Sequence, residues 1–241
     1  MIVYHTEFDG QHHELGTSGF LYRSNKLMYD KATSSMWSTL EGQPVIGPLV
    51  GKGIKLKSNT VVTSDWGTWR KSHPNTKVVS LEKVEEEYTR DYSEGAAYRD
   101  YFANDTIMYQ VPKTDERLKN KASVLTLRFE DVDLRKTKPI AFESKFLEEN
   151  PVHHHQYAGI DLVIVTDSSG AHRVYNAGDN KFASVKDDKT VVDESGVEWK
   201  VTTDELVGPD GKKLARLPSH NVFWFGWYSQ FPDTDLIMRE K

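Results

Sequence analysis

The chain has 241 residues, a net charge of −5, 28% charged and 37% hydrophobic residues. That is the balance of a folded chain long enough to bury a sizeable core, and the missing basic run excludes nucleic acid as the main partner, because phosphate recognition needs clustered Lys and Arg. No stretch approaches the roughly 20 apolar residues of a membrane-spanning helix, and the lack of cysteine removes disulfides, thiolate metal sites and a cysteine nucleophile while leaving the compartment open.

In chain order, residues 3–8 form a β-prone run, with none of the basic and apolar regions of a signal peptide, that ends at Phe8-Asp9-Gly10, a hairpin turn. Residues 19–22 and 26–30 read as short strands, and Tyr29, Asp30 and Thr33 as a turn held by the Asp side chain. Glycines and prolines punctuate the pieces around Trp37 and Gly47. A brief helix follows, with Ser64 as its expected N-cap, Trp66 and Trp69 on one face, and Pro74 preventing extension.

Residues 82–94 are acidic and tyrosine-rich, fitting a solvated helix or ordered loop. Strands are expected at 107–111 and 124–129, and a strand followed by a short helix at 138–150. No low-complexity linker marks a boundary. Residues 162–165 open another strand, which ends at Asp167-Ser168-Ser169-Gly170. Asp193 loosely matches Asp30. Asn221 is the expected N-cap of a last helix carrying Trp224 and Trp227, with Pro232 beyond it.

The chain repeats itself. Trp37, Trp66 and Trp69 are matched by Trp199, Trp224 and Trp227, and Pro74-Asn75-Thr76 by Pro232-Asp233-Thr234. Gly47-Pro48 is matched by Gly208-Pro209, Gly51-Lys52 by Gly211-Lys212, and Gly10 with His12 by Gly170 with His172, all at a nearly constant offset. The expected architecture is therefore mainly β with short helices: an internally duplicated antiparallel β-sandwich or half-barrel of pseudo-twofold character. It forms a single body, 1–241, with one unit at 1–80, a connecting segment at 81–150 and a second unit at 151–241. Paired indoles at this spacing favour core positions. The alternative is an exposed aromatic platform, best placed at Phe223-Trp224-Phe225-Gly226-Trp227-Tyr228.

Residues 15–37, with Thr17-Ser18-Gly19 and Leu27-Met28-Tyr29-Asp30 leading to Ser35-Met36-Trp37, resemble the domain-of-unknown-function family 3179. Similar too are Gly47-Pro48-Leu49-Val50-Gly51, Trp66-Gly67-Thr68-Trp69 running to His73-Pro74, and Phe223-Trp224-Phe225-Gly226-Trp227. Asp115-Glu116-Arg117-Leu118 with Lys121 and Val124 looks like the family's central Asp-x-Arg-Leu-x-x-Lys-x-x-Val element. The resemblance spans nearly the whole chain. It implies a prokaryotic protein of a kind often exported, many relatives carrying a Cys-Pro-x-Cys stretch in a position that here falls upstream of Met1. It implies no reaction.

Three chemistries are open. His153-His154-His155 would place His153 and His155 on one face of a strand, and His12, or else His13 or His172, would complete an imidazole site for Zn or Cu. The bland alternative is a polar loop before Ile160. Asp115, Arg117 and Lys121 could bind an anion or supply acid/base groups, or be a cap and an exposed helical pair. The nucleophile elbow, phosphate-loop and dinucleotide fingerprints are absent. The leading reading is a small-ligand or metal-binding module. The alternatives are an enzyme using Asp115, Arg117 and Lys121 in the cleft between the repeats, and a structural or interaction module. Substrate and oligomeric state stay open.

Overall fold

In the computed structural model, residues 1–80, 91, 95–129 and 138–240 are described. The chain runs through β1 (Glu7–Phe8), β2 (Gln11–His12), β3 (Leu15–Tyr22), β4 (Asn25–Asp30), β5 (Met36–Ser38) and β6 (Gln43–Ile46), then α1 (Trp66–Ser72) and α2 (Arg99–Phe102). Next come β7 (Ser123–Phe129), β8 (Lys138–Glu143), α3 (Ser144–Glu149), β9 (Val152–Tyr157), β10 (Ile160–Thr166) and β11 (His172–Asn176). The last third holds β12 (Phe182–Asp187), β13 (Thr190–Asp193), β14 (Glu198–Val201), β15 (Glu205–Val207), β16 (Lys213–Ala215), β17 (His220–Phe223), α4 (Trp224–Gln230) and β18 (Asp235–Ile237). The molecule is mainly β, with several sheets, few short helices and no closed barrel among the described residues.

Two sheets are meanders: β3-β4-β5-β6 and β12-β13-β14-β15-β16. The others are the β1-β2 hairpin, β11-β10-β9, and β17-β7-β8-β18, in which only β18 runs parallel to its neighbour. The β1-β2 turn is where the sequence places it. Asp9 and Gly10 both adopt positive φ (51° and 70°), the conformation a two-residue hairpin turn requires.

Burial follows the strand alternation. On β10, Val163 and Val165 pack with Phe182, Trp199 and Leu206, while Leu162 and Ile164 pack on the opposite face with Leu125, Phe142 and Leu147. A strand covered on both faces has no polar side, which explains the continuous apolar run there. Likewise β7 sends Leu125 and Leu127 to one side and Val124 to the other, against Trp224 and Trp227 of α4. Around the first meander, Trp37, Leu49 and Leu56 are buried among Tyr4, Phe8, Leu15 and Met28.

Several local expectations need correction. Residues 107–111 form no strand; Met108 and Tyr109 are exposed, and no strand pairs with them among the described residues. The N-cap of α1 is Asp65, not Ser64: its carboxylate accepts the Thr68 N–H at 2.8 Å and the Thr68 hydroxyl at 2.7 Å. Asn221 lies in β17, and α4 starts from Phe223 without a side-chain cap. Backbone carbonyls of the loop before β7 do that work instead, Ala122 and Asn120 accepting at 2.9 Å from Trp224 and Phe225 N–H respectively. Most of residues 82–94 lies outside the described residues.

Four of the six tryptophans are core, as their spacing favours: Trp37, Trp199, Trp224 and Trp227. The run at 223–228, the sequence's best exposed platform, is therefore mostly interior. Trp66 and Trp69 are the exception, 50% and 44% exposed. The two helices are nevertheless built alike. Trp69 donates Nε1–H to the Thr76 hydroxyl at 3.0 Å and Trp227 to the Thr234 hydroxyl at 2.9 Å. His73 stacks on Trp69 at 3.8 Å, and Phe231 lies on Trp227 at 4.3 Å.

Candidate functional site

A cleft of about 650 Å³ lies where the first meander meets the end of the chain. One wall is Tyr4, Leu21, Asn25, Lys26 and Met28. A second is the connecting segment, through Tyr98, Tyr101, Met108 and Tyr109. The third comes from β17 and α4, through His220, Asn221, Phe223 and Phe225. Apolar surface dominates, much of it aromatic and thioether, and the polar side chains are the amides of Asn25 and Asn221, the Lys26 ammonium, the His220 imidazole and the hydroxyls of Ser24, Thr39 and the tyrosines.

The β3–β4 hairpin holds the first wall against the third. Its tip residues Arg23 and Ser24 both take positive φ (49° and 61°), an unusual state for side-chain-bearing residues that this class of two-residue turn requires. The Arg23 guanidinium donates to the Ser229 and Gln230 carbonyls at 3.2 and 3.4 Å, at the C-terminal end of α4, where a cation is favoured. Asn25 donates to the Gly226 carbonyl at 3.3 Å. Tyr4 donates its hydroxyl to the Thr39 carbonyl at 2.7 Å.

Lys121 fixes the second wall. Its ammonium donates to the Tyr101 and Asn104 carbonyls and sits 3.5 Å from the centre of the Tyr101 ring. Burial pushes the Tyr101 phenol up. Asp105 accepts the Asn120 and Lys121 backbone N–H groups at 3.0 and 3.1 Å, closing the same loop from the other side.

Asp115 and Arg117 sit against α4 while Lys121 holds the tyrosine-bearing segment, and no helix carries any of the three. Arg117 Nε is 3.0 Å from both Asp115 oxygens, and its guanidinium lies 5.3 Å over Trp224 and 5.8 Å over Tyr228. Burial raises the Asp115 carboxyl, but the Arg117 hydrogen bonds and charge bring it below its ordinary value. The Asp115 carbonyl accepts the Trp224 indole N–H at 3.3 Å. Arg117 and Lys121 line a second cavity of about 920 Å³ with Glu143 and Arg239, whose charges pair at 3.1 Å.

The histidines separate into a pair and single residues. His153 and His155 share a face of β9, a strand and not a loop, with ring centres 5.8 Å apart. Both pack edge-on against Phe142, at 5.9 and 5.3 Å. Burial, with the neighbouring imidazoles, holds His153 down at about 4. His154 points the other way and its Nε2 accepts the Phe182 N–H at 2.9 Å. His12 lies 3.4 Å from the Thr6 hydroxyl, His13 is 3.3 Å from Asp30 and stacks on Phe8, and His172 is 2.9 Å from the Thr166 hydroxyl. Among the described residues no group of three or more His, Cys, Asp or Glu is arranged to hold a metal ion.

Sequence reasoning singled out Phe223 and Phe225, within an aromatic run, and missed the cleft's other residues. Tyr98, Tyr101 and Tyr109 come from the connecting segment at 81–150, where no site residue was expected before Asp115, and His220 fits no motif. The available signal was the density of tyrosine at 98–109, which no packed strand or helix requires.

No curated protein and no solved structure matches the chain. The model of one family, described as protein of unknown function (DUF3179), matches residues 1–234. The Asp30 turn, the buried Trp37, both tryptophan-bearing helices and the Arg117–Lys121 loop all fall inside that match, and the chain belongs to the DUF3179 family.

Proposed function

We propose that this protein is a binding module in which two copies of one ancestral unit, 1–80 and 151–241, are joined through 81–150 into a single body and receive a ring-bearing, uncharged small molecule in the cleft between them. The carrying observation is the composition of that 650 Å³ cleft: both units and the connecting segment contribute walls, mostly apolar and including six Tyr and Phe rings, around converging polar groups. Asp115, Arg117 and Lys121 enter as positioning residues that hold α4 and the tyrosine-bearing segment. His153 and His155 enter as rings packed on Phe142.

Matched local geometry supports the two-copy reading. Asp30 pairs with Leu15 and Asp193 with Phe182 at the far ends of equivalent hairpins. Each Asp side chain then ties the turn that follows: Asp30 takes the Ala32 N–H and Thr33 hydroxyl, Asp193 the Ser195 and Val197 N–H groups. Two positions before each Asp, Met28 pairs with Trp37 and Val191 with Trp199. The isolated bridges Tyr4–Ser58 and Tyr175–Arg216 favour matching Tyr4 with Tyr175, so that the β1-β2 hairpin is an insertion in the first copy and Gly10 has no partner at Gly170.

Titration with the uncharged fluorophore N-phenyl-1-naphthylamine tests the cleft. Leu21 is a partly exposed lining residue and Phe20, beside it, is exposed and lines no part of the cleft. Leu21→Trp fills the cleft and is expected to weaken binding about tenfold, roughly 1.4 kcal/mol; Phe20→Trp is expected to bind like the parent protein. Equal affinity in all three proteins would remove the cleft as the binding site.

A further inference from the structure

The two units meet at two junctions of the same kind, each formed by a hairpin tip of one unit and the tryptophan-bearing helix of the other. At the first, Arg23 and Asn25 bond directly to the carbonyls of α4. At the second, the β12–β13 tip, Asp188 and Lys189, faces α1 across a cavity of about 370 Å³. Tyr22 pairs with Asn25 and Asp187 with Thr190, so Asp188 occupies the position of Arg23. A carboxylate cannot donate to helix carbonyls, and Asp188 instead accepts the Ser168 N–H at 3.0 Å. The second junction therefore stands open.

We propose that this open junction is a second binding site, for an anionic saccharide. The comparison of junctions rests on the two-copy reading; the cavity and its lining do not. Its floor is aromatic: Trp69, exposed and stacked on His73, offers the indole surface that takes the C–H face of a sugar ring. Opposite stand Arg173, Lys189 and Lys200, against the single carboxylate of Asp188. Arg173 is held by Asp167 at 2.7 Å, while Lys189 and Lys200 have no carboxylate within ion-pair distance among the described residues. Val201 N–H donates to the Lys189 carbonyl at 2.7 Å, so the two lysines rise from adjoining points of one sheet. Ser72 and Thr203 add hydroxyls to the lining. A plain aromatic acid would leave those hydroxyls unused, and a neutral sugar would leave two ammonium groups unanswered. A ring carrying hydroxyls and a carboxylate or sulfate answers both.

Calorimetric titration with digalacturonate, a sulfated disaccharide and uncharged cellobiose tests the site. The expected result is binding of at least one anionic probe, at least tenfold tighter than cellobiose and weakened by salt. The double variant Lys189→Ala/Lys200→Ala and the single variant Trp69→Ala each lose about tenfold or more, with unchanged melting temperature. Trp66→Ala, outside the lining, binds as the parent does. No binding of either anionic probe, or undiminished binding by the double lysine variant, overturns the proposal. The two sites fail separately: Leu21→Trp leaves the anionic probe's affinity unchanged, and the double lysine variant leaves that of N-phenyl-1-naphthylamine unchanged.

Discussion

His172 is 4% exposed at the start of β11, and its Nε2 has no hydrogen-bond partner among the described residues. Burial pushes its imidazole down to about 4, from an ordinary value of 6.5. Between those two values the unfolded chain carries a proton that the folded chain lacks, so stability falls as pH drops from 6.5 towards 4. His172 alone accounts for about 3 kcal/mol over that window, and His153 acts in the same direction. Urea unfolding at pH 7 and pH 4.5 is expected to show the loss, and His172→Gln to flatten it; equal slopes in both proteins would rule out His172 as the source. The carboxyls of Asp30 and Asp167 lie below their ordinary values, so their share is lost at lower pH still. At this scale the sequence was partly legible. Asp30 as the holder of its turn follows from an Asp followed by Thr and Ser, because such side chains reach backbone groups two or three residues on. The depressed imidazoles do not follow, since burial depends on residues remote in sequence.

Helices α1 and α4 have the same skeleton and opposite surroundings. Both were legible from indoles three apart followed by a proline, and both end where that proline requires. Their caps were not: α1 is capped by Asp65, one residue past the expected Ser64, and α4 not by Asn221 but by the carbonyls of Asn120 and Ala122, about a hundred residues away in sequence. The consequence is measurable. The Trp227–Thr234 hydrogen bond is buried, and the equivalent Trp69–Thr76 bond is exposed. Thr234→Val strands a buried indole N–H and is expected to cost about 1–3 kcal/mol. Thr76→Val leaves its indole to water and is expected to cost under about 0.5 kcal/mol. Equal losses in chemical denaturation would contradict the assigned environments.

At the scale of the whole molecule, the β3–β4 tip bonds directly to α4, whereas the β12–β13 tip and α1 line a cavity between them. Arg23→Ala removes a cation from the carbonyl end of α4 and is expected to destabilise the protein by about 1–2 kcal/mol. Lys189→Ala, at the open junction, is expected to leave stability within about 0.5 kcal/mol of the parent. Comparable losses for both would mean that the second junction bears load as the first does. The asymmetry could not be read from the repeat pattern. The pattern aligns Trp with Trp and Pro with Pro, while Arg23 and Asp188 sit in two-residue turns, Arg23-Ser24 and Asp188-Lys189, that share length but no residue.

What the sequence determined by itself is local and chemical: a β-rich chain without thiols, turns set by Asp and Gly, helices stopped by proline, and a second set of indoles echoing the first. These follow from backbone sterics and from side chains reaching their near neighbours. Tertiary structure alone decided which indoles are interior, that His153 and His155 pack on Phe142, that Arg117 and Lys121 clamp chain segments, and where the cavities open. Each of these depends on which surfaces meet across long separations, and hydrophobic burial is non-directional, so a side chain's apolarity says that it will be covered but not by what.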